Sequence, residues 1–197
     1  MRKKQIIKIN KPNISILEKE GYSIKSVTIN EVKMVFPISK GTQGDPSTQT
    51  VSEAFGYLMR NAVEAGDDDS KEIFQGLLNA YFHCCNNSIV PYPTHPKERF
   101  GLMGWLPELN GRYQNESDAN SASDADEDII RSLLDADSKG WNLSATDPND
   151  DPANPPLYKS MTIQDLTLQA IRALANYDVG SFSFNGKSYD PAITPDC

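Results

Sequence analysis

Two stretches of this sequence gather carboxylates where they could do chemistry. The longer is Ser121–Leu134, SASDADEDIIRSLL, with Asp124, Asp126 and Asp128 at alternate positions and Glu127 between them. Like charges this close repel, so something must hold them together: a helix start, a metal ion or a sugar. Small residues lead in and an apolar run follows, so Ser123 to Asp126 reads as a Ser-x-x-acid helix start capped by Ser123. Each helical residue turns by about 100°, so the three aspartates cannot share one direction. Asp124 and Asp128 stand at i,i+4, where like charges oppose each other, which implies a dedicated partner for at least one of them. The spacing also matches the opening ligands of an EF-hand calcium loop. That loop needs Gly sixth and Glu twelfth; counted from Asp124, those residues are Ile129 and Asp135, which argues against calcium.

The shorter stretch is Thr50–Glu53, TVSE. It fits a capping box in which Thr50 caps a helix and Glu53 reaches back to the backbone N–H. It fits equally a carboxylate held by its helix start at the mouth of a cleft. Trp105, in GLMGW, is either a core anchor or a platform for the C–H face of a sugar ring. His83, Cys84 and Cys85 are consecutive on a helical pattern and so point apart; no second Cys or His pair lies at zinc spacing, and buried packing is the better account. His95, among prolines, has no visible partner.

Composition narrows the classes. The net charge of −8 argues against nucleic acid and against an anionic membrane surface. Residues 1–33 hold eight Lys/Arg against three Glu, so the rest of the chain is strongly acidic. Hydrophobic residues make up 38%, enough for a core, and no apolar run approaches a membrane span. The three cysteines, Cys84, Cys85 and Cys197, suggest no disulfide framework. The start MRKKQIIKINKPN has the basic flank of an export signal without its apolar centre. Either the protein stays inside the cell or a signal has been removed.

The elements that must position these residues are mostly helices. YSIKSVTINEV has strand-like composition, and SKGTQGDPSTQT reads as a loop. TVSEAFGYLMRNAVEAG places Phe55, Leu58, Met59 and Ala62 at helical spacing and stops at Gly66. DDDSKEIFQGLLNAYFHCC follows with Phe74, Leu77, Leu78 and Tyr81 on one side, so the two helices form an antiparallel hairpin. A long loop spans about Asn86–Ala122, a length usual for functional segments. A third helix starts in the aspartate cluster and ends near Asp137. ATDPNDDPANPP is read as irregular. A fourth helix over TIQDLTLQAIRALANY carries Ile163, Leu166, Ala170, Ile171 and Leu174 as its apolar stripe, and SFSFNGKSYDPAITPDC is read as a tail of turns. Residues 1–46 form an extension with short strands, and 47–197 form one helical unit.

Three fragments, in order, resemble glycoside hydrolase family 8, the group of bacterial endoglucanases, chitosanases and some xylanases. SEAFGYLM resembles its Ser-Glu-Gly motif with a following Tyr and Met, GLMGW its Leu-Met-Ala-Trp motif, and ASDADEDIIRSLLDADSKGW its Ala-Ser/Thr-Asp-Ala/Gly-Asp signature. The resemblance covers about Val51–Trp141. Ala54 stands where the family has Gly, Glu127 where Leu is common and Ile130 where Ala is expected, and Trp141 falls one residue late.

The resemblance implies a mainly α protein on an (α/α)6 barrel, incomplete in this chain, acting as a monomer on a β-1,4-linked glucan, xylan or chitosan with inversion. Glu53 would protonate the leaving glycosidic oxygen. Asp124 would hold the distorted sugar, and Trp105, Tyr57 and Asp126 would bind substrate, Asp126 also helping to cap its helix. No cofactor is implied, because carboxylates do the chemistry. The family's general base comes from the C-terminal half, and neither Asp190 nor Asp196 fits a motif for it. The four helices do not make a barrel, so the chain is expected to be part of a longer protein. An exported location follows if the likeness holds. Two rivals remain: a non-catalytic carbohydrate-binding or scaffold protein that has lost the base, and a calcium-stabilised interaction module.

Overall fold

The computed structural model describes residues 22–39, 49–92, 94–177, 179–184 and 187–193. The basic first segment, most of the SKGTQGDPSTQT loop, Asp196 and Cys197 lie outside the described residues.

A hairpin opens the described chain. Strands β1 (Tyr22–Ile29) and β2 (Val32–Ser39) pair antiparallel, Ile29 opposite Val32 and Tyr22 opposite Ser39. The turn residues Asn30 and Glu31 both have positive φ, 46° and 68°, the geometry whose twist suits a two-residue hairpin. Asn30 also donates to the Pro148 carbonyl at 2.7 Å. β2 lies against the second helix so closely that a Cβ on Gly76 would stand 2.5 Å from Val35 Cγ2. Val27, Met34, Val35 and Phe36 thereby join the main core.

Helices α1 (Ser52–Ala65) and α2 (Asp68–Asn87) follow. Their apolar stripes are buried as the spacing predicts: Phe55, Leu58, Met59 and Ala62 on α1, and Phe74, Leu77, Leu78 and Tyr81 on α2. Gly66 ends α1 in the left-handed conformation, φ 72°, and Asp67 starts α2 by accepting the Ser70 N–H at 2.7 Å. That bonding to Ser70 holds the Asp67 carboxyl below its ordinary pKa. Cys84 and Cys85 are fully buried in α2, which pushes both thiols up in pKa and leaves them inert, as helix packing requires.

After a long loop containing one 3-10 turn (Lys97–Arg99), α3 runs Ser123–Ser138 and α4 runs Ile163–Tyr177. α1 and α3 lie side by side and parallel. Gly56 faces Ala125 and Asp128, Arg60 bonds Asp128, and near the far end the Lys139 ammonium donates to the Val63 carbonyl at 2.6 Å. α4 returns antiparallel to α3: it starts where Gln164 meets Asp137, and by Ala170 it has reached Gly101, in the loop that covers the start of α3. Two helical hairpins therefore stand together with their first members parallel.

Several sequence-based expectations are corrected here. Ile171 is exposed, because α4 turns Ile163, Leu166, Ala170 and Ala173 toward its neighbours instead. ATDPNDDPANPP is not wholly irregular: β3 (Ser144–Thr146) pairs with β4 (Ser160–Thr162) across it. Part of the tail read as turns is a strand pair, β5 (Val179–Phe184) antiparallel with β6 (Lys187–Ile193). His95 is not partnerless, since its Nδ1 lies 2.6 Å from the Ser88 carbonyl. Among the described residues no helix is long and apolar enough to cross a membrane.

Candidate active site

At the start of α1 the capping box does not form. Val51, not Thr50, holds the cap position, and no side chain caps the helix. The donors there go to a loop instead: the Thr50 N–H meets the Pro107 carbonyl at 2.9 Å and the Ser52 N–H meets the Trp105 carbonyl at 3.0 Å. Glu53 is therefore not needed as a cap. Its carboxylate is half-buried beside the Ser52 hydroxyl at 3.3 Å.

The same loop then binds the start of α3. Trp105 donates its N–H to the Asn120 carbonyl at 2.8 Å, and Gly104 bridges to Ser121. Ala122 holds the cap position of α3 without a side-chain bond, so Ser123 does not cap the helix but begins it. Asp124 is exposed and its carboxylate accepts the Ala125 N–H at 2.9 Å. Asp126 points the other way, 1% exposed, and accepts the buried Met103 N–H at 3.1 Å. Its carboxylate fastens the loop. Asp128 accepts from Arg60 at 2.8 Å. The dedicated partners that the cluster demands are thus a loop amide for Asp126 and a guanidinium on α1 for Asp128.

Glu53 and Asp124 consequently stand at the same end of two adjacent parallel helices, with the Trp105 segment bonded to both. Tyr57, one turn beyond Glu53, is 49% exposed. Trp105 is half-buried against Val51, Ala54 and Leu106, and its indole N–H donates to the Ser117 carbonyl at 3.2 Å. It is anchored at one edge without being sealed in the main core. Below this end, a solvated groove of about 420 Å³ runs between the helices, lined by Arg60, Glu64, Glu127, Asp128 and Arg131 among others. Water and paired cations there offset the repulsion between neighbouring acids. Neither this groove nor a separate hollow of about 300 Å³, which includes Asn87, Tyr92 and Arg112, is lined by Glu53, Trp105 or Asp124.

The loop owes its path to Tyr113. A Cβ on Gly104 would lie 2.4 Å from the Tyr113 ring and 2.7 Å from Ala119 Cα, so the Gly in GLMGW gives its space to that ring. The phenol oxygen accepts the Gly104 N–H at 3.0 Å. Burial pushes the Tyr113 phenol well above its ordinary pKa. Gly104→Ala is expected to destabilise the protein by about 1–3 kcal/mol through overpacking. Adding Tyr113→Val should recover part of that loss in the melting temperature; a melting temperature unchanged by Gly104→Ala would contradict the packing.

A buried polar cluster behind this loop escaped the sequence reading. Asp147, with no exposed surface, accepts from His83 Nδ1 at 3.0 Å, Asn86 Nδ2 at 2.7 Å and the Asn149 N–H at 2.7 Å. His83 Nε2 lies 3.1 Å from the Asn110 carbonyl, and Gly111 packs directly on the ring. The available signal was polar spacing: His83, Asn86 and Asn87 recur at i, i+3 and i+4 and continue a polar strip that begins with Gln75 and Asn79.

The described chain is thus a helical protein of paired hairpins, with carboxylates at two parallel helix starts and a tryptophan loop across them. Residues 39–151 match the model of glycosyl hydrolases family 8, more than half of the chain, and the chain belongs to that family. The matched segment contains Glu53, Trp105 and Asp124. The chain is 37% identical to a beta-glucanase of Niallia circulans over 100 residues, 49% of this chain and 21% of that protein. It is 35% identical to endoglucanase 2 of Ruminiclostridium josui over 107 residues, 53% of this chain and 20% of that protein. The alignments thus span about a fifth of the length of these relatives. No solved structure matches.

Proposed function

We propose that this chain carries the proton-donating side of the active site of an inverting β-1,4-glycosidase. β-Glucan is the first candidate substrate, ahead of xylan and chitosan, since the relatives carry the names beta-glucanase and endoglucanase. One observation carries the reading: the Trp105 backbone bonds Ser52 of α1 and Asn120 in the segment leading into α3, while Met103 bonds Asp126 of α3, so one loop ties together the helix ends that carry Glu53 and Asp124. In this proposal Glu53 protonates the leaving oxygen. Asp124 holds the hydroxyls of the sugar at the point of cleavage, and Trp105 and Tyr57 offer ring faces to its C–H surfaces. Asp126 acts from beneath by fixing Met103, two residues before Trp105. Inversion needs a second carboxyl about 6.5–9.5 Å from the acid, across a water molecule, and that base is expected from the C-terminal half of the family's barrel. The α1–α2 and α3–α4 hairpins, first members parallel, fit two successive repeats of an (α/α)6 arrangement.

The test is release of reducing ends from β-1,4-glucan, xylan and chitosan by the natural full-length protein, with the anomer of the product followed by NMR. Hydrolysis with initial release of the inverted anomer supports the reading. Binding without hydrolysis of any of the three overturns it in favour of a carbohydrate-binding protein on the same fold.

A further inference from the structure

Gly56 lies inside α1, where glycine is less favourable than alanine by about 0.5–1 kcal/mol, and no unusual backbone angle calls for it. Its surroundings do. A Cβ built on Gly56 would stand 2.7 Å from the Cβ of Asp128 and 3.4 Å from the Ala125 carbonyl oxygen, so α3 passes too close for any side chain. One turn farther along α1, Arg60 reaches across and donates to the Asp128 carboxylate at 2.8 Å. The contact thus has a steric half and a polar half, and both engage Asp128. It sits about one turn below Glu53 on one helix and one turn below Asp124 on the other.

We infer that Gly56 and Asp128 form a spacer that sets the distance and register between Glu53 and Asp124 and so act as positioning residues for the proposed reaction. The inference rests on the assignment of Glu53 and Asp124 made above. Both carboxylates are carried on the first turns of their helices, so their separation follows the spacing of the helices. Relieving a 2.7 Å Cβ contact to an ordinary van der Waals distance moves one helix by about 1 Å, and a misplacement of that size at reacting groups is worth up to about 100-fold in rate.

The experiment uses the natural full-length protein, kinetics on a soluble oligosaccharide and melting temperatures. Glu53→Gln is measured first; hydrolysis that survives it refutes the active-site assignment itself. With that assignment standing, Gly56→Ala is expected to lower kcat by about 10- to 100-fold while KM changes less than about threefold. The exchange variant Gly56→Ala/Asp128→Gly removes the opposing Cβ and should return kcat to within about threefold of Asp128→Gly alone. Asp128→Asn keeps the Cβ, so in the Gly56→Ala background it should rescue nothing. A purely structural role would lower the melting temperature of Gly56→Ala and leave kcat unchanged, and that result overturns the inference. So does a Gly56→Ala/Asp128→Gly protein that is unfolded or no faster than Gly56→Ala.

Discussion

Glu53→Gln is expected to reduce hydrolysis by the full-length protein by about 10²–10⁴-fold or more, with sugar binding nearly intact. The glutamine is isosteric and can still lie beside the Ser52 hydroxyl, 3.3 Å from the native carboxylate, but it has no proton to give a departing oxygen. The structure makes this a clean experiment. The helix-start donors that a capping glutamate would satisfy are already taken by the Pro107 and Trp105 carbonyls. The substitution therefore removes no cap, and the unfolding free energy should change by no more than about 0.5 kcal/mol, as for an ordinary half-exposed position. Wild-type turnover in the variant would reduce Glu53 to an ornament of the helix start. A large loss of stability would show that it holds α1 together after all. The same substitution separates chemistry from binding, because the ring faces of Trp105 and Tyr57 and the carboxylate of Asp124 are untouched.

The helices were legible because their stripes are long and regular. Phe55, Leu58, Met59 and Ala62, and then Phe74, Leu77, Leu78 and Tyr81, repeat at a spacing that only a helix can bury on one side, and all eight are buried. The ends were less legible. Thr50 and Ser123 have the residue types of caps, yet the chain enters both helices one residue away from the expected position, because loop carbonyls rather than side chains meet the α1 donors. Such a bond comes from residues about fifty positions away and leaves no local pattern. Ile171 was misplaced for a related reason: α4 is apolar around much of its circumference, so periodicity alone did not say which strip faces α3. In the site, residue types pointed to Glu53 and the aspartate cluster. The division of labour within the cluster was hidden, since Asp126 and Asp128 are told apart only by what lies across from them, Met103 and Arg60.

The largest stability effect is expected at Asp147, not among the residues proposed to meet the sugar. Its carboxylate has no contact with water and accepts three donors: His83 Nδ1, Asn86 Nδ2 and the Asn149 N–H. Asp147→Ala would take this acceptor from His83 Nδ1, from the Asn149 N–H and from Asn86 Nδ2, which keeps only its bond to the Tyr158 carbonyl, at a summed cost of about 3–5 kcal/mol. At about 2–4 °C per kcal/mol for a protein of this size, the melting temperature should fall by roughly 10 °C. Asp147→Asn keeps one acceptor oxygen but turns an NH₂ toward a donor, so its loss should be smaller than that of the alanine variant. The cluster also touches the long loop, since Gly111 packs on the His83 ring and the 110–111 turn belongs to the loop carrying Trp105. Below its lowered melting temperature, Asp147→Ala should keep a kcat within a few-fold of wild type, in contrast to Glu53→Gln. Thermal unfolding and kinetics on the two variants therefore give opposite signatures. A melting temperature unmoved by Asp147→Ala would mean that the donors around it find other partners and that the cluster does not hold the loop.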